Sequence, residues 1–371
     1  MTNSGTDALR IALAALKERG NWKDGDIVFV PAVTFVATVN VVLQLNLTPK
    51  LVDVSMTDYN LNPWNLERLY YTPDNEKSWP KNARCVIPVH IAGVPCDMPQ
   101  ILKVAKRRNL AVLEDSCETL GVPGIAKGDA TAFSFYVAHL LTTGVGGMAT
   151  TNDPKLNQLM WSFCNHGRRD RGAFRFDRIG YSCRPTEFEA ALGLNQLYRL
   201  REILNKRRRI ARLLHETLMP YPELHTHFVP ESANMFFPLL LKEGSPVRKE
   251  VLMEFLGKHG IETRELLPLI NQPCYKGLWD TTNGFTVAKS VNERGFYIGC
   301  HQDMTLDDVR DIGETFDKFF SVKRREKTVE RLSRIRASQK DQKADYGGNC
   351  QKNKSQDPGK LRQIVQGQRA A

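Results

Sequence analysis

Five groups of residues in this sequence stand where chemistry is possible. His139 follows the apolar run Ala132, Phe133, Phe135 and Tyr136 and precedes the glycine cluster Gly144, Gly146 and Gly147, with the Ser134 hydroxyl close by. A strand leading into a glycine-rich turn lets backbone approach a ligand closely. An imidazole at that exit is therefore either a packed, hydrogen-bonded core residue or a group that moves protons near neutral pH. Asp115 and Glu118 close a second apolar run, Leu110 to Leu113, and carboxylates at a strand end need a partner. Ser4-Gly5-Thr6-Asp7 opens the run Arg10 to Leu16, whose apolar spacing is helical. The orphan N–H groups at such a start suit a phosphate, or equally an ordinary N-cap. His90 ends a further strand-like run and reads as either a ligand contact or a structural hydrogen-bonder. The basic loop Asn165 to Gly172 is either solvated or an anion-steering surface.

The elements that must position these residues follow from periodicity. Short apolar runs at Asp26–Pro31, Pro49–Val54, Cys85–His90, Leu110–Leu113 and Ala132–Tyr136 alternate with helical segments, including one opened by Asp153-Pro154 and running to Cys164. That alternation predicts an α/β domain with a mixed, mainly parallel sheet. Phe188 to Leu197 and the basic stretch Lys206 to Arg209 read as two helical pieces, the second leaving the large domain. From about Pro220 the pattern changes to a smaller α+β unit, with strands at Met235–Leu241, Ile261–Arg264 and Phe296–Gln302 and a helix at Val247–Gly260. The predicted division is a large domain over 1–219, a small domain over 220–321 and a basic tail over 322–371, the tail's first part through about Ala337 extending the preceding helix.

Composition narrows the function classes. A chain of 371 residues with 42% hydrophobic content is long enough for two real cores. No run of roughly eighteen apolar residues and no signal-peptide pattern is present, so a cytoplasmic protein without membrane insertion is expected. Eight cysteines lie scattered without Cys-x-x-Cys spacing, which argues against zinc, an iron–sulfur cluster or a disulfide framework. Of the net charge of +11, the tail from Val322 holds most, with 14 Lys and Arg against 5 Asp and Glu. The nearly neutral body makes nucleic acid an unlikely partner.

The stretch from Ser134 to Gly147, Ser-Phe-Tyr-Val-Ala-His-Leu-Leu-Thr-Thr-Gly-Val-Gly-Gly, resembles the cofactor-lysine motif of the DegT/DnrJ/EryC1/StrS sugar aminotransferases. His139 stands where that family carries its pyridoxal-binding lysine, and Val145 where the turn usually has Glu. Ser4-Gly5-Thr6-Asp7-Ala8-Leu9 resembles the family's phosphate-holding segment. Gly180-Tyr181-Ser182-Cys183-Arg184 is similar to its Gly-Tyr-Asn-x-Arg, with Ser182 in place of Asn. Three stretches are closer to one branch, the pyridoxamine-dependent nucleotide-sugar 3-dehydratases: Glu114-Asp115-Ser116-Cys117-Glu118, Arg184-Pro185-Thr186-Glu187 and Phe296 to Gln302. That branch also replaces the lysine by histidine. The resemblance covers about Thr2 to Phe320, and because relatives carry a longer segment before the phosphate motif, the chain reads as truncated at its start.

The resemblance implies the type I pyridoxal-phosphate aminotransferase fold and a homodimer. It implies pyridoxal 5'-phosphate or pyridoxamine 5'-phosphate bound without a covalent link, since an imidazole forms no stable imine with the cofactor aldehyde. Thr6, Asp7 and Ser134 would hold its phosphate, with Ser182 reaching the partner's. Phe35 would stack on the ring, Asp115 would pair with the ring nitrogen, and Glu118 would lie near the ring hydroxyl, where most members have Gln. His139 would be the acid–base, and His90, Arg184, Arg264 and His301 are candidates for substrate contact. The expected reaction is loss of the carbon-3 hydroxyl from a nucleotide-linked 4-keto-6-deoxyhexose, with glutamate as amino donor. The alternatives are a nucleotide-sugar aminotransferase and an inactive homologue serving as a binding or regulatory subunit. No metal is expected.

Overall fold

A computed structural model describes residues 1–69, 79–172, 174–282 and 284–321. The expected basic tail and its helical extension lie outside the described residues. Six strands, β1 (Ile27–Pro31), β2 (Thr48–Val52), β3 (Ala83–Val86), β4 (Ala111–Asp115), β5 (Ala130–Ser134) and β6 (Gly147–Thr150), form one sheet in the order β2-β1-β3-β4-β5-β6. All neighbours are parallel except β5 and β6, which pair antiparallel with Phe133 opposite Met148. The expected mixed, mostly parallel sheet is therefore present.

The interleaved helices are α1 (Gly5–Arg19), α2 (Val36–Gln44), α3 (Pro63–Arg68), α4 (Met98–Arg108) and α5 (Pro154–Cys164). Helix α1 is the most enclosed, burying Ala8, Leu9 and every residue from Ile11 to Leu16 against β4, β5, β6, α2 and α5. An apolar coat this complete ties the helix to the sheet on several sides. The strand order reverses around β1, with β2 on one side and β3 on the other, and in open parallel sheets ligands bind past the carboxyl ends of the strands. Those ends carry Phe35 after β1, Asp115 as the last residue of β4, and Ser134 as the last of β5 with His139 beyond it.

The two helical pieces expected after Pro185 are one helix, α6 (Glu187–Leu218), opened by a capping box between Thr186 and Glu189. Its later part buries Ile203, Leu204, Arg207, Ile210, Ala211, Leu214 and Leu218 at helical spacing. No proline or capping glycine interrupts the run between Leu197 and Lys206, so nothing ends the helix there. A second, antiparallel sheet has the order β7-β8-β10-β9, built from β7 (Leu224–Thr226), β8 (Phe236–Leu241), β9 (Thr263–Glu265) and β10 (Gly295–Gly299). It is accompanied by α7 (Lys249–Lys258) and α8 (Thr286–Arg294). Both sheets belong to one compact unit, Met1–Thr315. Arg207 of α6 fastens the ends of β8 and β10, donating from Nη1 to the carbonyls of Met235 and Cys300 and from Nε to Gln302. The second unit, Phe316–Ala371, is described only to Ser321, and its described residues are helical.

Candidate active site

The start of α1 presents backbone N–H groups in an arrangement that can cradle an anion. Ser4 is the N-cap, its hydroxyl accepting from the Asp7 N–H at 3.0 Å, and its carbonyl accepting from Ala8 N–H. The N–H groups of Gly5 and Thr6 have no acceptor among the described residues. Gly5 abuts Ser134 and Cys117 so closely that a Cβ there would lie 2.7 Å from Ser134 Cβ and 3.1 Å from its hydroxyl. Two free amides at the positive end of a helix, beside a serine hydroxyl, suit a phosphate. Gly147 holds this arrangement from behind. It exchanges two backbone hydrogen bonds with Thr2, and a Cβ at this position would lie 2.3 Å from the Ser4 carbonyl oxygen. The expectation for Asp7 needs correction: its N–H is used by Ser4 and its carboxylate is paired with Arg10, whose guanidinium lies 4.1 Å over the Tyr181 ring. Gly5 takes its place in the cradle. The sequence signal for it is the glycine at the first helical position.

Asp115 is 6% exposed, accepting from the Thr38 hydroxyl at 3.0 Å and the Cys117 N–H at 3.3 Å. Thr38 in turn hydrogen-bonds Thr34. A carboxylate accepts about four such bonds, so Asp115 retains capacity for a cationic or N–H ligand group. Phe35, the N-cap residue of α2, sits one turn before Thr38 with its side chain 61% exposed. Glu118 accepts from the N–H of Ala92 at 2.7 Å, and Ala92 adopts a left-handed φ of 56° to present it. Burial pushes the Glu118 carboxyl up to about 8, with the charge of Asp115 adding to the effect, so it is protonated at neutral pH. Burial also raises the Tyr297 phenol, and the nearby Glu118 reinforces this. Tyr297 is a residue sequence reasoning missed: it lies near Glu118 and pairs across the strands with Arg264.

His139 lies in the turn after β5, half-buried, with Tyr136 edge-on at 6.1 Å. Its Nδ1 is enclosed and has no hydrogen-bond partner. Burial lowers its pKa and the positive Arg207 adds to that, against smaller opposing pulls from the Ser134 and Cys117 backbones and Asp115. The imidazole is thus neutral at neutral pH and able to accept a proton. The same interactions place it beside Ser134 and Asp115. Arg207 is a second residue sequence reasoning missed, because a lone Arg in a basic run gives no sign of burial.

Other candidates are placed elsewhere. His90 has no exposed side chain: Cys96 N–H donates to its Nδ1 at 3.0 Å, and its Nε2 lies 3.1 Å from Glu114. With both nitrogens used inside the core it does not reach a ligand, and the structural alternative is the correct one. Ser182 and Arg184 are exposed, 3.4 Å apart, next to Cys183. Arg264 is exposed and paired with Glu262. His301 is joined through Gln302 to Arg207, and it lines an open cavity with His259, Glu262 and Asp303 that includes none of the residues around His139. Lys127 is exposed on the loop before β5, and buried Lys249 is paired with Glu265.

The chain is 32% identical over 330 residues to GDP-perosamine synthase of Caulobacter vibrioides, covering 85% of this chain and 84% of that protein. It is 26% identical over 341 residues to GDP-4-keto-6-deoxy-D-mannose 3-dehydratase of Yersinia pseudotuberculosis, covering 84% of each. Among solved structures, the Escherichia coli GDP-4-keto-6-deoxy-D-mannose-3-dehydratase with bound hydrated PLP superposes with a TM-score of 0.76 at 26% identity, over 85% of this chain and 86% of that one. That likeness carries the type I aminotransferase fold. The model of the DegT/DnrJ/EryC1/StrS aminotransferase family matches residues 1–317, and the chain belongs to that family.

Proposed function

We propose that this chain is a pyridoxal or pyridoxamine phosphate enzyme that removes the carbon-3 hydroxyl of a nucleotide-linked 4-keto-6-deoxyhexose, with His139 as its acid–base. The observation that carries the reading is His139 itself: a neutral imidazole with an unpartnered Nδ1 at the exit of β5, next to Ser134 and Asp115. The residues present fit the cofactor. The Gly5 and Thr6 amides and the Ser134 hydroxyl would hold the phosphate, Asp115 the ring nitrogen, and exposed Phe35 the ring face. When bound, the cofactor supplies an electron sink for a carbanion. His139 would take up a proton and deliver it to the departing hydroxyl, while protonated Glu118 would donate a hydrogen bond to an anionic oxygen. Glutamate is the amino donor that restores the amine form.

Two copies complete the assembly in this reading. The first part of α6 leaves Phe188, Leu192, Leu194, Leu197 and Tyr198 exposed at 53% or more, an apolar surface that suits a second copy of this chain. A second reading, transfer of an amino group to carbon 4 of the same kind of substrate, is favoured by the higher identity to the perosamine synthase than to the dehydratase.

The test incubates the protein with pyridoxal phosphate, glutamate and GDP-4-keto-6-deoxymannose and follows the sugar by mass spectrometry. A deoxygenated keto sugar that disappears in His139→Asn supports the dehydratase. An amino sugar overturns it in favour of the transaminase. No turnover across a panel of nucleotides leaves the binding-subunit reading.

A further inference from the structure

Away from the reacting groups, two cysteines face each other across a pair of antiparallel segments. Cys164 is the last residue of α5 and Cys183 lies in the stretch before α6. Asn165 and Ser182 form an antiparallel bridge, which makes Cys164 and Cys183 the next facing pair, and the Cys183 N–H donates to the Cys164 carbonyl at 3.4 Å. Both are free, 5% and 0% exposed, and packed in the main core. Facing residues of antiparallel strands have Cα atoms roughly 4.5–5.5 Å apart. A disulfide needs about 4.4–6.8 Å, so the backbone is already placed for one.

We propose that Cys164 and Cys183 form a reversible intramolecular disulfide when the protein meets a peroxide. Their thiols already interact side by side. The hydrogen bond with Cys183 brings the Cys164 thiol below its ordinary range, with the positive Arg184 adding to this, while Cys183 is pushed up. Cys164, 5% exposed against 0% for Cys183, is the sulfur a peroxide reaches, and Cys183 is the proton-bearing resolving thiol. The Cys164 thiolate attacks one peroxide oxygen, breaking the O–O bond to give a sulfenic acid and hydroxide. Cys183 sulfur then attacks the sulfenic sulfur, forming the S–S bond and releasing water. The peroxide takes the two electrons that the two sulfurs lose. The Cys183 carbonyl accepts from Asn3 N–H at 2.9 Å, so the link forms immediately behind the α1 start.

The experiment treats the full chain with hydrogen peroxide, blocks free thiols with an alkylating agent, and maps peptides by mass spectrometry without reduction. Exposed Cys274 is the internal standard for oxidant dose. The expected result is a Cys164–Cys183 linked peptide, lighter by two hydrogens than the two thiol peptides together, that dithiothreitol abolishes and that is missing in Cys183→Ser. Alkylatable or singly oxidised Cys164 and Cys183, at doses that oxidise Cys274, would overturn the proposal. So would a link from either residue to a different cysteine. The wild-type map decides the question even where Cys183→Ser fails to fold.

Discussion

Replacing Glu114 with Gln is the sharpest test of how the site is held. Glu114 has no exposed side-chain surface and accepts four hydrogen bonds: from His90 Nε2 at 3.1 Å, Ala126 N–H at 2.8 Å, and the N–H groups of Lys127 and Gly128 at 2.5 Å each. Every partner is a donor. His90 cannot change roles, because its Nδ1 already accepts from Cys96 N–H, which fixes the proton on Nε2. A glutamine in the same place turns one acceptor oxygen into an NH2 group. With its oxygen aimed at Lys127 and Gly128, the amide would face the His90 and Ala126 donors. Two hydrogen bonds to a charged acceptor are then lost, at about 1.5–3 kcal/mol each, so about 3–6 kcal/mol of stability should go. Urea unfolding followed by far-UV circular dichroism measures it, with His90→Gln as a partial rescue. A loss below about 1 kcal/mol would refute the claim that Glu114 is an obligatory acceptor. Because Ala126 to Gly128 lead into β5, looser anchoring should also weaken binding of pyridoxal phosphate, read by its absorbance.

The other predictions concern the cradle, the acid–base groups and the assembly. His139→Asn should keep the fold and lower turnover by about 10²–10⁴, and unchanged turnover would remove His139 from the chemistry. Gly147→Ala forces a Cβ onto the Ser4 carbonyl and should cost about 1–3 kcal/mol in urea unfolding. It should also weaken phosphate binding, and a variant that binds inorganic phosphate normally would contradict the cradle. Glu118 has a folded pKa raised to about 8 from 4.5, so its contribution to stability is full below about 4.5 and falls away as pH rises through 8. Glu118→Gln, which keeps an acceptor for Ala92 N–H, should remove that part of the pH slope, and an identical slope in the variant would show that Glu118 ionises normally. Tyr198→Glu should convert a dimer to monomers in size-exclusion chromatography with light scattering.

Much of the site was legible because its parts are local in sequence. A strand ending in Asp115, a helix start at Ser4-Gly5-Thr6 and an imidazole between β5 and a glycine turn each announce themselves within about ten residues through periodicity and capping chemistry. The parallel sheet followed from the alternation of elements, and it alone brings Phe35, Asp115 and His139 to the same sheet end. Residue type says much less about direction. His90 and His139 both follow strands, yet one has both nitrogens spent inside the core and the other has a free one. Asp7 looked like a ligand-facing acid and instead pairs with Arg10.

Those outcomes depend on partners far along the chain. Gly5 meets Ser134 because α1 packs against β5, Glu114 meets Ala126 to Gly128 because β4 and β5 are neighbours, and Tyr297 approaches Glu118 because the chain entering β8 hydrogen-bonds the Ala92–Gly93 turn that also holds Glu118. The buried Arg207 and the facing Cys164 and Cys183 are of the same kind. Short-range patterns of polarity and backbone freedom were enough for the order of elements and the helix start at Ser4-Gly5-Thr6, while the expected role of His139 came from the family motif around it. Only the tertiary structure decided which donors and acceptors are spent on the core and which remain for a ligand, because hydrogen-bond satisfaction is set by long-range packing and register.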